Sequence, residues 1–260
     1  MTEFRKLFPN PKPVIGMIHV PVLPGYPDSK GIDYAIRHAV ADLRVLEDGG
    51  VDGVLVENEF DRPHRITAAP ETVAAMTRVT RAVVQESENA VVGCEILLND
   101  PQASLAVARM AGARFIRTDY FADRMTRPEY GEFAIDADAL LEYRSKIGAA
   151  NVLIFADIQV KYATMIKPRP LRKSAKLAHR KGADALIVTG EASGDAPTIE
   201  QLREAAGTGA PVLIGSGLRA DNAKILLDEC DGAIVGTSLM QNQSVDADAV
   251  ELLMSHLKDR

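Results

Sequence analysis

The chain has 260 residues, 47% of them hydrophobic and 25% charged, the make-up of a globular protein with a sizeable core. Lysine plus arginine number 30 against 36 acidic residues, a net charge of −6 with no long basic run, which argues against general nucleic-acid or anionic-membrane binding. Two cysteines, Cys94 and Cys230, are too few for a disulfide framework, and no apolar run reaches the roughly 18 residues a membrane span needs. The first nine residues hold no apolar stretch long enough for a signal peptide, so a cytoplasmic chain with reduced thiols is expected.

In chain order, the residues before Pro13 are expected to form a short helix capping the floor of a barrel. Eight short apolar, β-branched runs then recur: 14–20, 53–57, 90–97, 115–120, 152–160, 185–189, 211–215 and 233–237. Their near-continuous hydrophobicity is that of strands buried on both faces. Between them lie stretches of helical period. In 36–46, Ala39, Val40, Leu43 and Leu46 form one stripe, and in 72–84 Val73, Met76, Val79 and Val83 do the same; 171–179, 199–206, 221–229 and 246–257 repeat the pattern. The returns into strands carry glycine at Gly50, Gly112, Gly182 and Gly209, where a left-handed helix end drops the chain into the next strand. One strand–helix unit used eight times predicts the α/β class and a closed (β/α)₈ TIM barrel, residues 1–260 forming one domain. An open doubly wound sheet would want a glycine-rich fingerprint after its first strand, where this chain reads His19-Val20-Pro21-Val22.

Helix-to-strand joints are tight, whereas the strand-to-helix loops 21–31, 58–70, 121–136 and 161–170 are long. The elaborated face is therefore the one at the C-terminal ends of the strands, where barrels place their sites. The seventh strand closes on Gly215-Ser216-Gly217 and the eighth on Gly236-Thr237-Ser238. Glycines let backbone N–H groups approach an anion, a following helix start adds positive character, and these two loops are the usual phosphate site of the architecture. The plain alternative is a pair of tight turns.

Other strand ends carry ionisable groups. His19 ends the first strand, as an acid/base, a ligand or a core histidine. Glu57 and Asn58 end the second. Glu95, inside an apolar strand, needs a partner or a raised pKa. Arg117 and Asp119, two apart, share one face of the fourth strand. Glu95–Arg117 is the natural ion pair between neighbouring strands, leaving Asp119 at the mouth. Asp157 ends the fifth apolar run, and Lys161 lies four residues on, suited to an anion or a Schiff base. Gly190 opens a flexible turn able to cover a ligand. No zinc-type Cys/His spacing, Walker A loop or Gly-x-Ser-x-Gly elbow is present. No cofactor is required by the sequence; a divalent cation held by Glu57, Asp119 or Asp157 stays open.

Taken together, several segments resemble the BtpA/SgcQ family. They are Met17-Ile18-His19-Val20-Pro21-Val22-Leu23-Pro24-Gly25, Val56-Glu57-Asn58 with Asp61-Arg62-Pro63, Arg117-x-Asp119-x-Phe121, Ala156-Asp157-x-x-Val160-Lys161, Val188-Thr189-Gly190, Gly215-Ser216-Gly217 with Asn222, and Val235-Gly236-Thr237-Ser238. The resemblance covers nearly the whole chain. It implies a TIM barrel of the phosphate-binding superfamily. One family member is linked to photosystem I biogenesis, others lie beside sugar-metabolism genes, and some bear a nucleotide-phosphatase label. Two positions depart from the pattern: Phe60 stands where a glycine is common, and Tyr162 where a histidine follows the lysine.

The expectation is an enzyme acting on a phosphorylated sugar or nucleotide-like molecule, as lyase, isomerase or hydrolase. His19, Glu57, Asp119, Asp157 and Lys161 would do the chemistry. Asn58, Arg117, Gly190, Gly215, Ser216, Gly217, Gly236, Thr237 and Ser238 would bind substrate or phosphate. The alternative is a non-catalytic assembly factor that binds a protein partner. The alanine-rich helices also suit a homo-oligomer.

Overall fold

The structure is a computed structural model that describes residues 2–258. Eight parallel strands close into a barrel: β1 (Val14–His19), β2 (Gly53–Glu57), β3 (Val91–Glu95), β4 (Phe115–Thr118), β7 (Leu153–Asp157), β9 (Ala185–Val188), β10 (Val212–Ile214) and β11 (Gly232–Val235). β1 pairs with both β2 and β11, which completes the ring. The helices are α1 (Glu3–Leu7), α2 (Ile32–Asp48), α3 (Pro70–Glu86), α4 (Pro101–Ala111), α5 (Ala137–Lys146), α6 (Leu171–Arg180), α7 (Ile199–Ala206), α8 (Ala223–Leu227) and α9 (Ala247–Ser255). This is the expected TIM barrel. At the end of α4, Gly112 takes φ 91° and its N–H reaches the Ala108 carbonyl at 2.9 Å, the left-handed exit anticipated for these joints.

The apolar runs overstate the strands. The fourth run ends when Tyr120 turns to φ 55°, and the fifth ends at Asp157, before Gln159 at φ 50°. Beyond these ends the Ile158 N–H still donates to the Ile187 carbonyl at 3.0 Å, but Tyr120 and Val160 leave the barrel ladder. Leu98, Tyr120 and Val160 pack instead with Met125 and Phe133 beneath a lid. The lid is a three-stranded antiparallel sheet of β5 (Met125–Arg127), β6 (Gly131–Phe133) and β8 (Thr164–Met165). A second small ribbon joins β12 (Met240–Gln241) to β13 (Ser244–Val245).

The side-chain period of two sorts each strand. Val14, Val54, Cys94, Ile116, Ile154 and Leu186 point outward and pack with the helices, whereas Ile15, Leu55, Phe115, Phe155, Ile187, Leu213 and Ile234 fill the barrel. The inward set is apolar only at the floor. There Phe115 and Phe155 stack at 4.5 Å, and Phe4 and Phe8 of the N-terminal segment close the end, Phe4 lying 5.6 Å from Phe155 and Phe8 6.0 Å from Phe115. Gly93 has no side chain because a Cβ would lie 2.3 Å from the Phe115 ring. Further along the strands, two residues beyond Met17, Leu55, Gly93, Phe115 and Phe155, the inward positions become His19, Glu57, Glu95, Arg117 and Asp157. The change from apolar to ionic inside one barrel fixes where the site lies.

Candidate functional site

A cavity of about 550 Å³ opens at the C-terminal mouth, within the usual size for a small-molecule site. Of the residues singled out from sequence, His19, Glu57, Asp119 and Lys161 line it, as do Arg117, Gly215, Ser216, Gly217, Gly236, Thr237 and Ser238. Asp157, Asn58 and Gly190 do not.

An ionic layer sits beneath the mouth. Arg117 donates from Nε and Nη2 to the two Asp157 oxygens at 2.8 and 2.9 Å, while its Nε stands 3.7 Å from Glu95 Oε2. The expected Glu95–Arg117 pair is thus the weaker of two contacts. Arg117 lies between β3 and β7, and the bidentate geometry goes to Asp157. Both oxygens of Asp157 are thereby occupied and its residue is 1% exposed, so it positions Arg117 rather than meeting a ligand. Glu95 Oε2 keeps no hydrogen bond. Burial drives Glu95 well above the carboxylate range, outweighing Arg117, and Glu57 and Asp119 push the same way. Glu57, its register partner on β2, feels burial too, but His19, the Glu95 hydrogen bond, Arg117 and Lys161 bring it below the ordinary value. The two neighbouring carboxyls are thus driven in opposite directions, Glu95 towards its protonated form and Glu57 towards its ionised form. Glu57 Oε1 in turn lies 3.6 Å from His19 Nε2.

Asp119 is the acid best placed for proton transfer. Burial, then the neighbouring Asp157, raise it to about 7 against the pull of Arg117 and Lys161. A carboxyl that titrates near neutrality and faces a cavity can both take and return a proton. The Lys161 charge acts on Asp119 and on Glu57, although Gln159 and Tyr162 break the extended chain that would have carried it there.

The two glycine loops meet across β10 and β11. Ser216 Oγ donates to the Asp195 carbonyl at 2.7 Å and accepts from the Gly190 N–H at 3.1 Å, so this hydroxyl and Gly190 hold the turn after β9. Ser238 Oγ donates to the Leu218 carbonyl at 2.6 Å, and Asn222 Nδ2 to the Gly217 carbonyl at 3.0 Å. Side chains thus occupy these carbonyls and fix the loops. The helices after the two strands are short, three residues from Thr237 and five from Ala223, so helix dipoles add little and backbone N–H groups are the donors to consider. Asn58 is also a brace: its Oδ1 accepts from the Leu97 N–H and its Nδ2 donates to Asp61.

Glu59, Arg62, His64, Glu95, Arg127, Tyr162 and Ser193 line the cavity as well. Glu95 was marked by its apolar strand; most of the others come from the long loops whose length marked this face, and nothing in their local spacing distinguishes them. Arg62 pairs with Glu59. Burial, then Arg62, lowers His64 to about 4, so its ring is neutral. Among the described residues no three His, Cys, Asp or Glu side chains gather as a metal cluster. Among those residues, too, no helix is long and apolar enough to cross a membrane.

Known proteins share both the sequence pattern and the barrel. The model of the BtpA family matches residues 10–259. An uncharacterized protein of Archaeoglobus fulgidus is 37% identical over 248 residues, 95% of this chain and 99% of that one. Photosystem I biogenesis protein BtpA of Synechocystis is 35% identical over 249 residues, 94% of this chain and 86% of that one. Among solved structures, thiamine phosphate pyrophosphorylase from Pyrococcus furiosus superposes with a TM-score of 0.63 at 19% identity, covering 98% of both chains. Phosphoribosyl anthranilate isomerase from Thermus thermophilus gives 0.62 at 12%, covering 95% of this chain and 98% of its own. At these identities the structural likeness speaks for the barrel fold.

Proposed function

Given that the chain belongs to the BtpA family, we propose that it is an enzyme that moves a proton within a small phosphorylated molecule, a sugar phosphate or a near relative, at the C-terminal mouth of the barrel. The observation that carries this reading is Asp119. It faces the cavity, shares it with the His19–Glu57 pair and the glycine loops, and burial beside Asp157 pushes its carboxyl up to about 7. In this reading Asp119 takes the proton from a carbon beside a carbonyl. Lys161 stabilises the negative charge that develops on oxygen, and His19, held by Glu57, serves the oxygen's proton. Isomerisation and carbon–carbon cleavage both begin with that step. The loops at Gly215–Gly217 and Gly236–Ser238 hold the phosphate through backbone donors. Two solved neighbours of the same fold are named for phosphorylated compounds, which supports the choice of ligand class.

Thr237 gives a clean test because it is exposed at the loop, and its hydroxyl does not fasten a neighbouring loop as those of Ser216 and Ser238 do. Calorimetry with inorganic phosphate and ribose 5-phosphate should show binding to the wild type and a loss of at least tenfold in Thr237→Glu, whose carboxylate would stand where the phosphate belongs. Equal affinity in the two proteins, or no binding of either probe to the wild type, would remove the phosphate reading. It would also favour the non-catalytic alternative, a protein-binding assembly factor; the Synechocystis relative is named for photosystem I biogenesis.

A further inference from the structure

Resting on that phosphate reading, we propose that the ligand carries a second anionic group, a carboxylate or another phosphate, and that Arg127 on the lid binds it.

The cations around the cavity are not equivalent. Arg62 is paired with Glu59, Arg117 with Asp157 and Glu95, and Arg219 with Asp221. Lys161 acts on Asp119 and Glu57. Arg127 makes no ion pair among the described residues, its buried Nε is left without an acceptor, and the neutral Tyr120 hydroxyl is its polar neighbour. Its guanidinium carbon lies 5.6 Å from the Tyr130 ring and 5.8 Å from the Tyr162 ring, so aromatic neighbours restrict it without neutralising it. A partly buried guanidinium with no counter-ion, lining a cavity, is completed by an anion from solution.

The surroundings favour the same visitor. Tyr120 sits beside Arg127, and its buried hydroxyl interacts with that guanidinium and has no other hydrogen-bonding partner among the described residues. Burial, then Asp119, raise that hydroxyl to about 12, so it keeps its proton. His64 also feels the Arg127 charge and is neutral. Neither neighbour supplies a negative charge that would compete with a ligand.

Topology sets the spacing. Arg127 ends β5, in the excursion after β4, whereas the glycine loops follow β10 and β11. In the closed order β1-β11-β10-β9-β7-β4-β3-β2, β4 stands three places from β10 and four from β11. The two anion positions thus start from opposite sides of the mouth, with Asp119, His19 and Glu57 lining the cavity they share. A ligand anchored at both ends would present its middle carbons to the acids, the arrangement that restricts a flexible substrate to one reacting geometry.

The test uses three probes: ribose 5-phosphate with one anionic group, and 6-phosphogluconate and ribulose 1,5-bisphosphate with two. Calorimetry at one fixed low ionic strength should show wild-type protein binding the doubly anionic probes at least tenfold tighter than ribose 5-phosphate. Arg127→Gln should erase that advantage and leave ribose 5-phosphate within about twofold. Arg127→Lys should retain part of it, and melting temperatures would confirm that both variants fold. Thr237→Glu should weaken all three probes. The proposal fails if the doubly anionic probes bind wild type no tighter than ribose 5-phosphate, or if Arg127→Gln weakens every probe by the same factor. Both outcomes leave the phosphate reading standing. Failure of all three probes to bind wild type would overturn the phosphate reading and this proposal with it.

Discussion

Arg117 and Asp157 form a bidentate pair across β4 and β7, at 2.8 and 2.9 Å, entirely inside the barrel. The pair separates two acids that the sequence places in similar positions. Asp157 is held by the guanidinium, and Asp119, two residues beyond Arg117, is left facing the cavity. Removing one partner strands the other charge in the interior, at a cost of about 3–5 kcal/mol. Asp157→Asn should therefore lower the urea midpoint markedly, and the double variant Arg117→Met with Asp157→Leu should regain much of the loss. A urea midpoint for Asp157→Asn indistinguishable from that of wild type would show that the pair contributes little.

The pH dependence of stability isolates Asp119. Its folded pKa of about 7 exceeds the ordinary value of 3.8, so between those limits the folded chain binds more protons than the unfolded one. The contribution of this residue is full below about pH 4 and falls as pH rises through 7, by at most about 4 kcal/mol for a shift of this size. Asp119→Asn removes the titration. The variant should melt at a higher temperature than wild type at pH 8, differ little at pH 4, and lose the proton transfer proposed for Asp119. A wild-type and variant melting difference that stays constant from pH 4 to pH 8 would contradict the assignment.

Gly217 shows why substituting a loop glycine is a poor probe of anion binding here. Its φ is +72°, and a Cβ would lie 2.1 Å from the Ala196 nitrogen and 2.2 Å from the Asp195 carbonyl carbon. Those contacts are backbone and cannot yield as a side-chain tip would. Gly217→Ala should cost about 1–3 kcal/mol from backbone strain alone and loosen the turn after β9. Faster amide exchange at residues 190–196 would register it, and unchanged exchange there would refute the packing argument.

The barrel was legible because its strands are apolar on both faces and its returns carry glycine, signals that each act over a few residues. The mouth was legible through loop length and through ionic residues at strand ends such as His19, Glu57 and Asp119. The partner of Arg117 was not, because β3 and β7 flank it equally and only side-chain geometry favours Asp157 over Glu95. The lid was also hidden. β5 and β8 are three and two residues long and pair across a separation of about forty residues, which leaves no periodicity to read. Arg127 is part of that lid, so its place at the cavity could not be read from the sequence around it.

The floor offers a control that separates stability from the site. Phe4 is 1% exposed, 5.2 Å from Phe8 and 5.6 Å from Phe155, and it seals the end of the barrel opposite the mouth. Phe4→Ala removes a buried ring and opens a cavity, at about 3–5 kcal/mol. The ionic layer and the glycine loops lie at the other end of the strands, with the Phe115–Phe155 stack between. Denaturation should thus show a large loss of stability, while ribose 5-phosphate affinity, measured well below the melting temperature, stays within about twofold of wild type. A loss of affinity that matches the loss of stability would mean that the floor and the mouth are coupled through the aromatic stack, and that variants at the mouth must be read with that coupling included.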